Sequence, residues 1–92
     1  MKSRTTARFR EAFAQLPPPI QTQARRAYQR FKQNPQHPSL RFKKVHDIQP
    51  VYSVRINLDY RAIGVQINDQ MVWFWIGSHA TYERLLRTLS LP

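Results

Sequence analysis

The 92-residue sequence predicts an α+β fold, with a helical hairpin packed on a mainly antiparallel sheet of about four strands and a closing C-terminal helix. Three observations predict it. Apolar residues recur at helical spacing in the first third of the chain, alternate with polar ones or run continuously through the middle, and return to helical spacing at the end. The middle runs are joined by hairpin-length connections, which favour antiparallel strands with helices packed on them. No internal repeat or low-complexity segment interrupts this order.

Phe9, Ala12, Phe13 and Leu16 form the apolar stripe of a first helix opening near Thr5 or Thr6, with Arg8, Arg10, Glu11 and Gln15 between them. Pro17, Pro18 and Pro19 stop it, because proline lacks the amide donor a helix interior needs. Proline is accepted in a first turn, so the same triplet starts a second helix over about Ile20 to Lys32, with the stripe Ile20, Ala24, Ala27, Tyr28 and Phe31. Asn34 to Ser39 form a loop around Pro35 and Pro38. Leu40 to Val45 then read as a basic edge strand.

Tyr52, Val54 and Ile56 alternate with Ser53, Arg55 and Asn57, the pattern of a strand with one apolar face. Leu58 and Asp59 turn the chain into a strand over Tyr60 to Ile67, and Asn68 with Asp69 supplies a tight hairpin. Met71 to Ile76 is continuously apolar, which implies burial on both faces and a central place in the sheet or in an interface. Ser78 can cap a last helix whose stripe is Tyr82, Leu85, Leu86 and Leu89.

Length and composition bound the function. A chain of 92 residues suits a single domain spanning 1–92. Its 41% hydrophobic and 12% aromatic content supplies a packed interior. No apolar run approaches the roughly 20 residues that cross a bilayer, and no apolar stretch follows Met1 to Thr6 as a leader would require, so a cytoplasmic location is expected. Absence of cysteine excludes disulfides, thiolate metal sites and a cysteine nucleophile. Fifteen Lys and Arg stand against five Asp and Glu, a formal net charge of +10. Such a surface wants a polyanion, which nucleic acid, an anionic membrane face or an acidic protein partner would each supply, and the basic segments lack the broad Trp, Phe and Leu face of a membrane-lying helix. Nucleic acid, RNA first, is the expected partner.

Candidate chemistry narrows by elimination. His37, His46 and His79 are spread over different elements without zinc spacing, so no metal site is expected. Gly64 and Gly77 are the only glycines and make no phosphate cradle, so no nucleotide cofactor is expected, and none of the serines sits in a glycine-flanked elbow. Arg55 and Arg61 lie on consecutive strands joined by a tight turn, so antiparallel pairing brings them together. Two guanidinium groups there form either a phosphate clamp or ordinary surface pairs with Asp59 and Asp69. His79 opens the last helix with Tyr82 and Glu83 on its face. It is either an acid-base group or a helix-start residue bonded to Glu83, with Tyr82 in the core. Trp73 and Trp75 are core or base-stacking residues, and Arg41, Lys43, Lys44 and His46 form a second basic patch suited to backbone contact.

The order of elements, with Tyr52-Ser-Val-Arg-Ile56, Asp59-Tyr-Arg-Ala62 and Ile76-Gly-Ser-His-Ala-Thr-Tyr82, resembles the RelE/ParE superfamily of toxins from bacterial toxin–antitoxin modules over nearly the whole chain. The resemblance implies one of two activities: metal-independent endoribonucleases that cut ribosome-bound mRNA in the RelE-like branch, or inhibitors of DNA gyrase in the ParE-like branch. In the nuclease branch, Arg55 and Arg61 resemble the arginines that hold the scissile phosphate. His79 and Tyr82 resemble the acid-base group and the group orienting the attacking 2′-hydroxyl, and Glu83 and Asp47 are the carboxylates to weigh as a base. A cognate antitoxin is the implied protein partner, and a plain RNA- or DNA-binding module is the remaining alternative.

Overall fold

The computed structural model describes residues 1–90, with side chains through residue 88. The chain runs β1 (Lys2–Thr5), α1 (Ala7–Ala14), α2 (Pro18–Gln33), a 3₁₀ turn (Pro38–Leu40), β2 (Lys43–Lys44), β3 (Val51–Arg55), β4 (Tyr60–Ile67), β5 (Gln70–Ser78) and α3 (His79–Ser90). Its five-stranded sheet has the order β1-β5-β4-β3-β2, antiparallel except for the parallel β1–β5 pair.

The proline triplet does both of its expected jobs. Thr6 caps α1 through its hydroxyl, which accepts the Phe9 amide at 3.1 Å, and α2 begins with Pro18 and Pro19 in its first turn. Gln21 donates its side-chain amide to the carbonyls of Phe13 and Leu16 at the end of α1, fixing the hairpin. The hairpin buries Ala24, Ala27 and Phe31 against Val54, Ala62, Trp73 and Ile76 on one face of the sheet. The opposite face carries Val51 and Ile63, covered by Tyr82, Leu85 and Leu86 of α3. The side chain of Leu89, the fourth member of that stripe, lies outside the described residues.

Three features depart from the sequence-based expectation. β1 is a fifth strand that supplies β5 with a second neighbour, which explains the continuous apolar run of β5. Its anchors are polar: Trp73 Nε1 donates to Ser3 Oγ at 2.7 Å and the Tyr28 hydroxyl to the Ser3 carbonyl at 3.2 Å. The expected edge strand over 40–45 shortens to Lys43–Lys44, because Leu40 closes the 3₁₀ turn with its side chain buried and Arg41 adopts left-handed backbone (φ 46°). A bulge skips Phe74, so that Ile63 pairs with Trp75 but Gly64 with Trp73. It turns Trp73 towards the helical hairpin and Trp75, with Phe74, towards α3, instead of leaving both indoles on one face.

Candidate nucleic-acid interface and active site

Antiparallel register places Arg55 directly opposite Arg61, and Gly77 opposite Arg61 on the other side. Paired residues share a sheet face, and the neighbouring rung Ser53–Ile63–Trp75 lies under α3, so the register starts both arginines on the α3 side, but Arg55 borders the groove beside α2 and only Arg61 borders the one beside α3. The β3–β4 turn that enforces this is tight. Asn57 Oδ1 accepts the Asp59 amide at 2.8 Å, and Arg61 Nη1 donates to the carbonyls of Asn57 and, at 3.0 Å, of Tyr60. One nitrogen of the guanidinium therefore holds the turn, and the rest of the fork is left for another acceptor.

A groove of about 400 Å³ runs along this face, with Lys43 and Lys44 on the β2 wall, Arg61 between the walls, and His79, Tyr82 and Glu83 on the α3 wall. Burial lowers the Arg61 pKa below the ordinary arginine value, and the charges of Arg55 and Arg41 press in the same direction, while Tyr82 and Glu83 oppose them. Arginine does not give up its proton at physiological pH, so the strain amounts to a demand for an anion. Among the described residues no carboxylate comes within ion-pair distance of Arg55 or Arg61; the surface pairing with Asp59 and Asp69 is not formed.

His79 is held from three directions. Its backbone amide donates to the Asp59 carbonyl at 2.6 Å, its ring stacks on Tyr82 at 5.6 Å between centroids, and Nε2 lies 3.2 Å from Glu83 Oε1. Ser78 starts the helix, its hydroxyl accepting the Thr81 amide at 3.3 Å. Nδ1 of His79 is buried without a hydrogen-bond partner. One nitrogen is therefore held by a carboxylate, and the other has no acceptor among the described residues.

Tyr82 is placed differently from a group that would touch a nucleotide freely. It is 3% exposed, and its hydroxyl pairs at 3.1 Å with Ser53, itself 2% exposed. It forms the floor beneath the imidazole, the core position that its register with Leu85 and Leu86 allows. The basic patch divides: Lys43 and Lys44 line the groove, exposed Arg41 is felt electrostatically by Arg61, and His46 accepts the amides of Ile48 (3.1 Å) and Gln49 (2.9 Å), so its Nδ1 shapes the β2–β3 loop. Of the two candidate carboxylates, Glu83 lines the groove and Asp47 does not. Trp73 is core, whereas Trp75 stays partly exposed and lies against Gly77. The residues that sequence reasoning missed are Ser53, inside β3, and Asn57, in the turn after it, and a polar side chain was the only signal for each.

An apolar cavity of about 210 Å³ also remains between the helical hairpin and the sheet, bordered by Trp73 but by none of the groove residues. Among the described residues, no three His, Asp or Glu side chains gather as metal ligands and no helix is long and apolar enough to cross a membrane.

Known proteins match this arrangement in fold. A chain of the RelB-RelE antitoxin-toxin complex from Methanococcus jannaschii superposes with a TM-score of 0.71 at 12% identity, over 88% of this chain and 95% of that one. YafQ from Escherichia coli strain BL21(DE3) gives 0.70 at 8% identity, over 88% and 96%. The YoeB/ParE toxin from Agrobacterium tumefaciens gives 0.66 at 13%, over 86% and 99%. No curated protein sequence matches the chain. Residues 18–84, which run from α2 into α3 and include Arg55, Arg61, His79 and Tyr82, match the ParE-like toxin domain. With that match over most of its length, the chain belongs to the ParE-like toxin family, within the RelE/ParE superfamily.

Proposed function

We propose that this protein is the toxin of a toxin–antitoxin module and a metal-independent endoribonuclease that cleaves ribosome-bound mRNA and so represses translation. The observation that carries the proposal is a partly buried Arg61, crowded by Arg55 and Arg41 and unpaired with any described carboxylate, in one groove with His79. An RNA phosphate supplies the missing anion. The 2′-hydroxyl oxygen attacks phosphorus, the bond to the 5′-oxygen breaks, and a 2′,3′-cyclic phosphate and a free 5′-hydroxyl result. Arg55 and Arg61 stabilise the charge on the phosphorane, which grows beyond that of the ground-state diester. His79, steadied by Tyr82 beneath it and by Glu83 beside it, delivers a proton to the departing oxygen, while the proton of the attacking 2′-hydroxyl passes to water. Lys43 and Lys44 hold the flanking backbone. The protein partner is a cognate antitoxin, as the RelB-RelE complex has, with acidic or amphipathic segments that cover the basic groove.

Expression of His79→Ala and Arg61→Ala forms tests this reading. Each is expected to relieve growth arrest and to leave transcripts intact while the purified protein keeps its fold; unchanged toxicity in both rules the mechanism out. The ParE-like match favours a second reading, inhibition of DNA gyrase without cleavage. Loss of supercoiling by purified gyrase, with intact transcripts, is its expected mark.

A further inference from the structure

A second cationic groove lies on the α2 side of the β3–β4 turn. It encloses about 360 Å³ between Gln23, Arg26 and Arg30 of α2, Ser39 of the 3₁₀ turn, and the segment from Arg55 to Leu58. None of its lining residues is acidic. Gln23, Arg26 and Arg30 follow at spacings of three and four, which puts them on one helix face, and like charges four apart weaken a helix unless an anion lies between them. Arg30 is aimed by a chain of bonds: its Nη1 donates to Ser39 Oγ at 3.3 Å, and Ser39 lies 2.8 Å from His37 Nδ1.

The β3–β4 turn links the two grooves. Asn57 contributes its carbonyl to Arg61 on the α3 side and its side-chain amide to Gln23 on the α2 side, so the turn is tied to both. Leu58 stands at its tip, 74% exposed, where an apolar side chain has nothing of its own chain to cover it. We infer that a single RNA strand crosses this turn, with its scissile phosphate in the α3 groove, a flanking phosphate in the α2 groove on Arg26 and Arg30, and a base against Leu58. Guanidinium pairs grip phosphate oxygens bidentately, and the amides of Gln23 and Asn57 fix the turn between the two sites. The inference rests on the nuclease reading for the occupant of the first groove, and the test separates the two.

The probe is a 12-nucleotide, fully 2′-O-methylated RNA, which keeps every phosphate and cannot be cleaved by its own 2′-hydroxyls. Its binding to the intact protein is followed by fluorescence anisotropy from low to moderate salt. Arg26→Gln/Arg30→Gln is expected to flatten the slope of log affinity against log salt by about 0.7 for each phosphate that the protein no longer neutralises, and to weaken binding about tenfold. A dinucleotide of the same chemistry, too short to span the turn, is expected to bind both proteins alike. Equal slopes for the 12-mer would overturn the α2 site and leave the nuclease reading intact. A flattened slope in a protein that cleaves no mRNA would keep the site and remove the nuclease reading, and no binding of the 12-mer by the unaltered protein would remove both.

Discussion

Replacing Tyr82 by phenylalanine separates a structural tyrosine from one that acts on substrate. The substitution removes one oxygen whose only described partner is Ser53 Oγ at 3.1 Å, between two side chains exposed by 3% and 2%. The lost bond is not the main cost. Ser53 is left buried with a hydroxyl that reaches neither water nor another acceptor, and an orphaned buried polar group costs about 1–3 kcal/mol. In a chain of this size each kcal/mol moves the unfolding midpoint by about 4–8 °C. Tyr82→Phe should therefore melt at least about 4 °C lower, and Ser53→Ala, which orphans the tyrosine instead, should melt lower too. Removing both partners leaves no unsatisfied group, so the double variant should be more stable than the two single losses sum to, by about 1 kcal/mol or more. Urea unfolding of the four proteins, followed by circular dichroism, measures the cycle, and mRNA cleavage below the lowest midpoint should persist in Tyr82→Phe because the ring still supports His79. An additive cycle, or an unchanged midpoint together with lost cleavage, would refute a floor position for Tyr82.

Gly64→Ala should destabilise by about 1–3 kcal/mol in the same unfolding assay, since a Cβ there would stand 2.7 Å from Trp73 Cε3 and 3.0 Å from Met71 Cε, both buried. Gly77→Ala, which meets the partly exposed Trp75, should cost less, and equal losses would contradict the packing described. Arg61→Lys keeps a charge and one donor for the turn carbonyls but loses the planar fork. Cleavage should fall about 10²–10³-fold with little change in melting, and full activity would show that no phosphate is gripped there.

Periodicity carried most of the architecture. The stripes of α1, α2 and α3 and the alternation in β3 stand out because each buries one face against the sheet, and the proline triplet marks the hairpin corner by simple stereochemistry. β1 escaped because Lys2–Thr5 has no apolar residue: its alternation of charged with small hydroxylated side chains serves polar anchors. The extent of β2 turned on the backbone of Arg41, and the fate of the two tryptophans turned on a one-residue bulge; neither leaves a trace in residue type. At the candidate site, hairpin logic was enough to pair Arg55 with Arg61, and helical spacing was enough to join His79 to Glu83. Tyr82 fitted two descriptions equally well until its buried hydroxyl was seen against Ser53.

The parallel ladder between Lys2–Thr5 and Gln70–Trp73 joins segments far apart along the chain, the first made well before the second. While the nascent polypeptide is being extended, the early segment has no mate, and Ser3 has no indole to accept from until Trp73 has emerged. Maturation of this sheet is thus a late event, slowed by the long loop that must close. The strand bearing Arg61 also pairs with β5, so Arg61 takes its place in the groove only once that later-made neighbour is present.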